Sequence, residues 1–128
     1  MARPKSASLT SAELRLMDIL WTTGPSTVSA VVENLPEDAD LAYSTVLTTL
    51  RILEEKGYLT HEKQGRAFIY KPLIERESAR RSAIQQLLSR FFGNSPELLV
   101  QSLLDDEELS KTEIRRLKKL ISTQEGVQ

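Results

Sequence analysis

The stretch AYSTVLTTLRILEEKGYL, residues 42–59, carries side chains that could contact nucleic acid from one face of a helix. Hydroxyl groups allow close approach and hydrogen-bond to base edges or phosphates, a leucine fits against a thymine methyl, and an arginine reaches guanine or phosphate. An ordinary surface helix would carry Lys and Glu at these places. The residues predicted to contact DNA from this helix are Ser44, Thr45, Leu47, Thr48 and Arg51. The alternative is a helix packed on both sides inside a larger core.

The other face of the same helix is apolar and must hold it in place. At 3.6 residues per turn one stripe contains Val46, Leu50 and Leu53, with Thr49 among them. Gly57 is placed to end the helix as a left-handed cap, after which the chain becomes extended. The sequence therefore predicts a helix that is buried on one side and free on the other.

Two helices are predicted upstream of this one. The first opens at a capping box formed by Thr10 and Glu13. The second is shorter and lies between its N-cap, either Ser26 or Thr27, and Pro36. The side chains predicted to form the buried stripe of the first helix are Leu14, Met17, Leu20 and Trp21, with Leu9 and Leu14 as a hydrophobic staple.

Downstream, the hydrophobic period changes from 3.6 to 2. Residues 58–63 and 67–71 are predicted to form two strands, joined by a short turn in which Gly65 takes a positive φ. Three helices followed by a hairpin is the order of a winged helix-turn-helix domain, in which the third helix is the recognition helix and the hairpin is the wing. Lys63 and Arg66 at the tip of the wing are predicted to contact phosphates. The alternative for these two residues is a plain solvated turn.

The remainder of the chain predicts three short amphipathic helices. Such helices make a poor core on their own, so their apolar stripes require a partner surface, and a second copy of the chain is the simplest one. We therefore expect a winged helix-turn-helix DNA-binding domain over residues 1–73 and a helical dimerisation domain over residues 74–128, in a fold that is mainly α with a small β-hairpin. The predicted dimerisation residues are Leu87, Leu88, Phe91, Leu99, Leu103, Ile114, Leu117, Leu120 and Ile121.

Composition excludes several classes of function. The sequence has no cysteine, which excludes disulfides, thiolate metal sites and a cysteine nucleophile. It also lacks a nucleophile paired with its single histidine, His61, a glycine-rich phosphate loop and a zinc signature, so we expect no enzyme, no cofactor and no metal site. No apolar run is long enough to span a membrane, and no apolar segment follows the first basic residues as in a signal peptide. We expect a cytoplasmic protein without direct membrane binding.

The charge balance does not favour nucleic acid. Residues 1–73 hold eight Lys and Arg against nine Asp and Glu, whereas a DNA-binding domain usually shows a basic footprint. Any DNA-binding surface must therefore concentrate its positive charges on one face. The competing class is a winged-helix module that binds protein without binding DNA. The basic segment Arg3-Pro4-Lys5 is more often a disordered terminus than an arm that reaches a groove.

Four segments carry a family resemblance: LTSAELRLMDILW (9–21), AYSTVLTTLRILEEKGYL (42–59), GRAFIY (65–70) and FFGNSPELLVQSLLDDEELS (91–110). In these segments the chain resembles the penicillinase-repressor family of bacterial transcription regulators, the Bla/Mec type. The resemblance implies a homodimeric repressor of transcription that binds a double-stranded operator of dyad symmetry, often built on TACA/TGTA half-sites.

The resemblance also implies a route of release. Many members of the family leave DNA when a membrane-bound sensor metalloprotease causes them to be cut. The Asn-Phe bond cut in the antibiotic-responsive members aligns with Ser102-Leu103 of this sequence, which is thus the implied cleavage site. Copper-responsive relatives carry a cysteine-rich tail, and the absence of cysteine here excludes that type of sensing.

Overall fold

The computed structural model describes residues 8–126, which form six helices and a small antiparallel sheet. The helices are α1 (Ser11–Thr23), α2 (Val28–Glu33), α3 (Tyr43–Glu55), α4 (Arg76–Phe91), α5 (Pro96–Leu104) and α6 (Lys111–Gly126). The strands are β1 (Ser26–Thr27), β2 (Leu59–Gln64) and β3 (Ala67–Pro72), in the order β1-β3-β2. The winged helix-turn-helix order predicted from the sequence is therefore present in the first part of the chain.

The start of α1 is set by the predicted capping box. The Thr10 hydroxyl accepts a hydrogen bond from the Glu13 amide at 3.1 Å, and the Glu13 carboxylate accepts one from the Thr10 amide at 2.9 Å. The predicted burial of Leu14 is wrong, because its side chain is 43% exposed and Leu16 is buried instead. The core face of α1 is centred on residues 13, 16, 17 and 20, and Leu14 lies about 100° round the helix from the first of these.

The end of α3 follows the predicted glycine cap. Gly57 has a φ of 90°, and its amide donates to the Glu54 carbonyl at 3.0 Å. The Tyr58 amide donates to the Leu53 carbonyl, also at 3.0 Å. These two bonds form a Schellman motif, which satisfies carbonyls at the end of the helix and turns the chain into β2.

The sheet contains one strand that the sequence did not predict. The hairpin of β2 and β3 closes at a two-residue turn, with Gln64 opposite Ala67 and Gly65 at a φ of 63°. The short β1 pairs with the outer side of β3, with Thr27 opposite Ile69. Thr27 is also the N-cap of α2, so the same residue ends a strand and begins a helix. This third strand ties the wing to the helical part of the domain.

The chain divides into two compact units, Met1–Ile84 and Gln85–Gln128. The buried core lies in the first unit, where α1, α2 and α3 pack together and against the sheet. The division lies within α4, whereas the sequence-based boundary falls after residue 73, because Ile74 and Ala79 still pack against the core of the first unit. The assignment of the two parts to DNA binding and dimerisation stays a prediction.

The second unit has well-capped helices. The Ser95 hydroxyl accepts from the Leu98 amide at 3.2 Å to begin α5, with Pro96 in its first turn. The Ser110 hydroxyl accepts from the Glu113 amide at 3.1 Å, and the Glu113 carboxylate accepts from the Ser110 amide at 2.9 Å. Both α5 and α6 thus begin at a serine N-cap.

A buried ion pair joins α1 to the end of α3. Glu13 is only 5% exposed, and its carboxylate lies 2.7 Å from the Lys56 ammonium group, which also donates to the Ser8 carbonyl at 3.0 Å. Burial by itself would raise the pKa of Glu13, but the hydrogen bonds from Lys56 and from the Thr10 amide outweigh it and hold the pKa below its ordinary value. The charged form of Glu13 is therefore the one that stabilises the fold.

Replacing Glu13 by alanine is expected to lower the free energy of unfolding by about 1–2 kcal/mol at neutral pH, because it removes a capping interaction and leaves a half-buried ammonium group without its carboxylate. The pKa of Glu13 is lower in the folded than in the unfolded chain, so this contribution is present above the ordinary pKa of 4.5 and is lost as the pH falls below it. Urea unfolding at several pH values measures it. The control is Glu107→Ala, in an exposed loop. A difference between wild type and Glu13→Ala that persists unchanged in acid would contradict the assignment.

Candidate nucleic-acid interface

The recognition face of α3 is exposed because its other face is fully buried. Val46, Leu50 and Leu53 have no exposed surface and belong to the core cluster. This stripe fixes the rotation of α3 about its own axis. The predicted DNA-contacting residues that are exposed as a result are Ser44, Thr45, Thr48 and Arg51.

Leu47 and Tyr43 differ from the sequence-based interpretation. Leu47 is half-buried, since part of its side chain packs against the core cluster, so it lies at the edge of the recognition face. Tyr43, the first residue of α3, is 52% exposed and was not among the predicted contacts. Its position one helical turn before Leu47 is the sequence signal that could have identified it. Tyr43 adds an aromatic ring and a hydroxyl group to the N-terminal end of this face.

Charged side chains of α3 lie beside the wing. The Arg51 guanidinium group is close enough to the Tyr70 hydroxyl group on β3 to lower its pKa. Burial and the nearby Glu54 carboxylate raise the pKa of Tyr70, and Arg51 offsets part of this change. Nδ1 of His61 on β2 lies 2.7 Å from the Glu54 carboxylate. The wing is thus attached to the same turn of α3 that presents Arg51.

His61 makes contacts that are typical of a residue with a structural role. Besides its contact with Glu54, its ring packs edge-on against Phe68, with centroids 5.1 Å apart, and lies 5.3 Å from the ring of Tyr70. Within residues 8–126 no group of three or more His, Cys, Asp or Glu side chains could hold a metal ion.

The tip of the wing presents its basic residues to solvent. Lys63 and Arg66 are both exposed, with Gln64 and Gly65 between them. The two-residue turn places Lys63 at the end of β2 and Arg66 directly before β3. The structure therefore puts both predicted wing residues at the end of the hairpin. The basic segment at residues 3–5, considered as an arm, lies outside the described residues.

Two acidic side chains of the first unit are engaged in ion pairs with lysines of the same unit. Glu13 is paired with Lys56, and Glu62 with Lys71 at 2.5 Å. The hydrogen bond from Lys71 is the main cause that lowers the pKa of Glu62. The remaining acidic residues of the first 73 include a group at the end of α2 and in the loop before α3: Glu33, Glu37, Asp38 and Asp40.

The predicted dimerisation residues lie on half-buried or exposed positions of the second unit. Phe91 is 71% exposed and Leu120 is 61% exposed. The other exposed members are Leu87, Leu103 and Ile121, and the half-buried ones are Leu88, Leu99, Ile114 and Leu117. The core residues of the described chain all precede residue 71, so the second unit contributes none.

The implied cleavage site lies on a short helix. Ser102 and Leu103 are both exposed and belong to α5, which has nine residues. No described helix is both long and apolar enough to cross a membrane.

Comparison with known proteins places this geometry in a family. The profile described as Penicillinase repressor matches residues 9–123. The chain belongs to the penicillinase repressor family. It is 28% identical to the penicillinase repressor of Bacillus licheniformis, over 91% of this chain and 91% of that protein. It is 23% identical to the methicillin resistance regulatory protein MecI of Staphylococcus aureus, over 92% of this chain and 96% of that protein.

A solved structure supports the fold of the first unit. The solution structure of the DNA-binding domain of the repressor BlaI matches with a TM-score of 0.52 and 28% sequence identity, over 60% of this chain and 93% of that domain. The family resemblance and the winged-helix fold predicted from the sequence are confirmed. The interpretation of this chain as a DNA-binding transcriptional repressor, and not an enzyme, is confirmed by the same relatives.

Proposed function

We propose that this repressor acts as a homodimer on an operator of dyad symmetry, with one half-site read by α3 and the wing of each subunit. The observation that carries this proposal is the exposed recognition face, which bears small hydroxyl groups and Arg51 directly opposite a fully buried stripe. The similarity of this chain to the solved DNA-binding domain of BlaI supports the use of α3 to contact DNA. We propose that it acts in the cytoplasm, where a bacterial operator lies.

Each part of the interface has its own proposed role. Ser44 and Thr48 hydrogen-bond to base edges or phosphates in the major groove, and Leu47 contacts a thymine methyl at the edge of the face. Arg51 contacts guanine or a phosphate. The wing contacts phosphates of the adjacent backbone through its basic tip, which fixes the register of the domain on the duplex.

The exposed apolar residues of the second unit support the homodimer. A helical unit without buried core residues exposes apolar surface that association would remove from water. A second copy of the chain supplies a matching surface by two-fold symmetry. The two recognition helices of such a dimer must enter successive major grooves, so the half-sites should lie about one helical turn apart, or a multiple of it.

The sequence-based alternative was a winged-helix module that binds protein without binding DNA, and membership of a repressor family argues against it. Selection from randomised duplexes, followed by a salt titration on the selected sequence, separates the two functions. A repressor should select a palindromic sequence, and its affinity should fall steeply with salt because neutralised phosphates release counterions. Absence of binding at low salt would favour the protein-binding module.

Replacing Arg66 by alanine is expected to weaken binding evenly across DNA sequences, because a residue at the tip of the wing contacts phosphate and not a base. The slope of log affinity against log salt concentration should decrease in magnitude by about one. Anisotropy titrations on the selected operator and on an unrelated duplex measure both quantities. Arg66→Lys is the matched control, since it keeps the charge. A loss confined to the operator would show that Arg66 reads a base.

We further propose that cleavage within α5 releases the repressor, through a sensor metalloprotease in the membrane. Nine residues form a marginal helix that opens readily, and Ser102 and Leu103 are already exposed. A cut between them would detach α6 and the dimer contacts assigned to it while leaving the first unit intact. Each half-site would then be bound alone, without the gain from linkage.

Cleavage is expected to accompany derepression in the native host under cell-wall stress, with fragments that end at or near Ser102. Mass spectrometry of the chain recovered before and during induction measures this. Because Ser-Leu stands at the position of the family's Asn-Phe bond, the protease should show its own bond preference. An intact chain throughout derepression would exclude cleavage, and a cut outside residues 98–109 would refute the site.

A further inference from the structure

The start of α4 is fixed to the first unit by contacts that the proposed DNA interface does not use. The Leu73 amide donates to the Tyr58 carbonyl at 2.8 Å. The indole N–H of Trp21 donates to the Ile74 carbonyl, also at 2.8 Å. Ile74 and Ala79 pack against the core cluster. The backbone that enters α4 is therefore held from two sides, by the segment between α3 and β2 and by α1.

Arg76, the first residue of α4, extends this attachment along α1. Its Nη2 donates to the Thr22 hydroxyl at 3.1 Å and to the Asp18 carbonyl at 3.4 Å. Its guanidinium carbon lies 5.4 Å from the ring centroid of Trp21. Trp21 thus contacts the chain at both Ile74 and Arg76. We use the name α1–α4 clasp for the contacts of residues 18, 21 and 22 with residues 74 and 76.

The clasp lies within the first unit, at the start of the helix that continues into the second. α4 begins at Arg76 and continues past residue 84 into the second unit. If DNA is read by the first unit and the dimer forms through the second, the separation of the two recognition helices depends on α4. The first turn of any helix has unsatisfied N–H groups and opens at little cost unless it is held.

We propose that the α1–α4 clasp sets which half-site spacing the dimer accepts, with Arg76 and Trp21 as positioning residues. This inference rests on the proposed function. The ligand is a duplex that carries two half-sites at one fixed separation. With the clasp closed, the start of α4 is held to α1, so an operator of the matching spacing is bound with little reorganisation.

Opening the clasp converts the start of α4 into a flexible connection. A flexible connection spreads the second recognition helix over many positions, which lowers its effective concentration at the matching half-site and raises it elsewhere. The result is weaker binding at the native spacing and a smaller penalty at other spacings. Binding of one half-site is unaffected, because the recognition face does not include the clasp.

The test uses the full chain and three DNA series based on the selected operator: the native spacing, the same half-sites with one or two base pairs inserted or deleted, and a single half-site. The variants are Arg76→Ala and Trp21→Phe, the second of which keeps an aromatic ring and removes the indole N–H. Arg80→Ala is the matched control, because Arg80 lies one turn further along α4 and its ion pair among residues 8–126 is with Glu77 of the same helix, at 3.7 Å.

Wild type and Arg80→Ala should lose about tenfold or more in affinity when the spacing changes by two base pairs, whereas Arg76→Ala and Trp21→Phe should lose about threefold or less. All four proteins should bind the single half-site equally. A spacing dependence in Arg76→Ala equal to that of wild type would overturn the inference, as would an equal change in Arg80→Ala or a loss of half-site binding in the clasp variants. A wild type that binds two half-sites no better than one would instead overturn the proposed dimeric function, and this inference with it.

Discussion

A chain that ends at Ile84 should bind the full operator about 10²–10⁴ times more weakly than the intact protein. Ile84 is chosen because the first unit, which holds the buried core and the start of α4, ends there. The shortened chain keeps the recognition helix and the wing, so its affinity for one half-site should equal that of the full chain. The loss arises because two recognition domains are no longer linked. Anisotropy titrations on one-site and two-site duplexes separate the affinity for one half-site from the gain due to linkage.

Full-length variants test the same interface without shortening the chain. Leu120→Glu places a charge on the most exposed apolar position of α6 and should shift the protein towards monomer in sedimentation experiments. Lys119→Gln is the matched control, because it changes the net charge by the same amount at the neighbouring position and should leave the dimer intact. A full-length wild-type protein that is monomeric at micromolar concentration would contradict the prediction directly.

Arg51→Ala should weaken binding to the operator by about 1–3 kcal/mol if the guanidinium group contacts a base. Arg51 is the basic residue on the exposed face of α3, and its guanidinium group lies near Tyr70 of the wing. Ser44→Ala and Thr48→Ala should have smaller effects, since each removes one neutral hydrogen bond. Titrations on the operator and on operators with single base changes measure how much of each loss depends on sequence.

Arg51→Lys distinguishes a base contact from a phosphate contact. Lysine keeps the charge but cannot form the bidentate pair that arginine makes with guanine, so a base contact predicts a loss close to that of alanine, and a phosphate contact predicts a small one. Arg15→Ala removes the same charge from the exposed side of α1 and serves as the control. Unchanged operator affinity in Arg51→Ala, Ser44→Ala and Thr48→Ala would contradict the assignment of α3 as the recognition helix.

Features of the candidate site that depend on residues close together in the sequence were predictable. The period of 3.6 in α3 identified both its buried stripe and its exposed hydroxyl groups, and the turn at Gly65 identified the tip of the wing. The exposure of Leu47 and Tyr43 was harder to predict, because both residues lie near the edge of the recognition face. Whether such a residue packs on the core or faces solvent depends on the exact rotation of the helix, which the core determines.

The sequence by itself determined the order of the six helices and the hairpin, since each element rests on residues within a few positions of one another. The family followed from four such segments taken in order along the chain. Tertiary structure alone decided the contacts between distant residues. Glu13 and Lys56 are 43 positions apart, and Trp21 and Ile74 are 53 apart, and no local pattern marks either pair. The short strand β1 likewise exists only because β3 lies beside it. Such features require the packed chain, because their partners come together only when the core has formed.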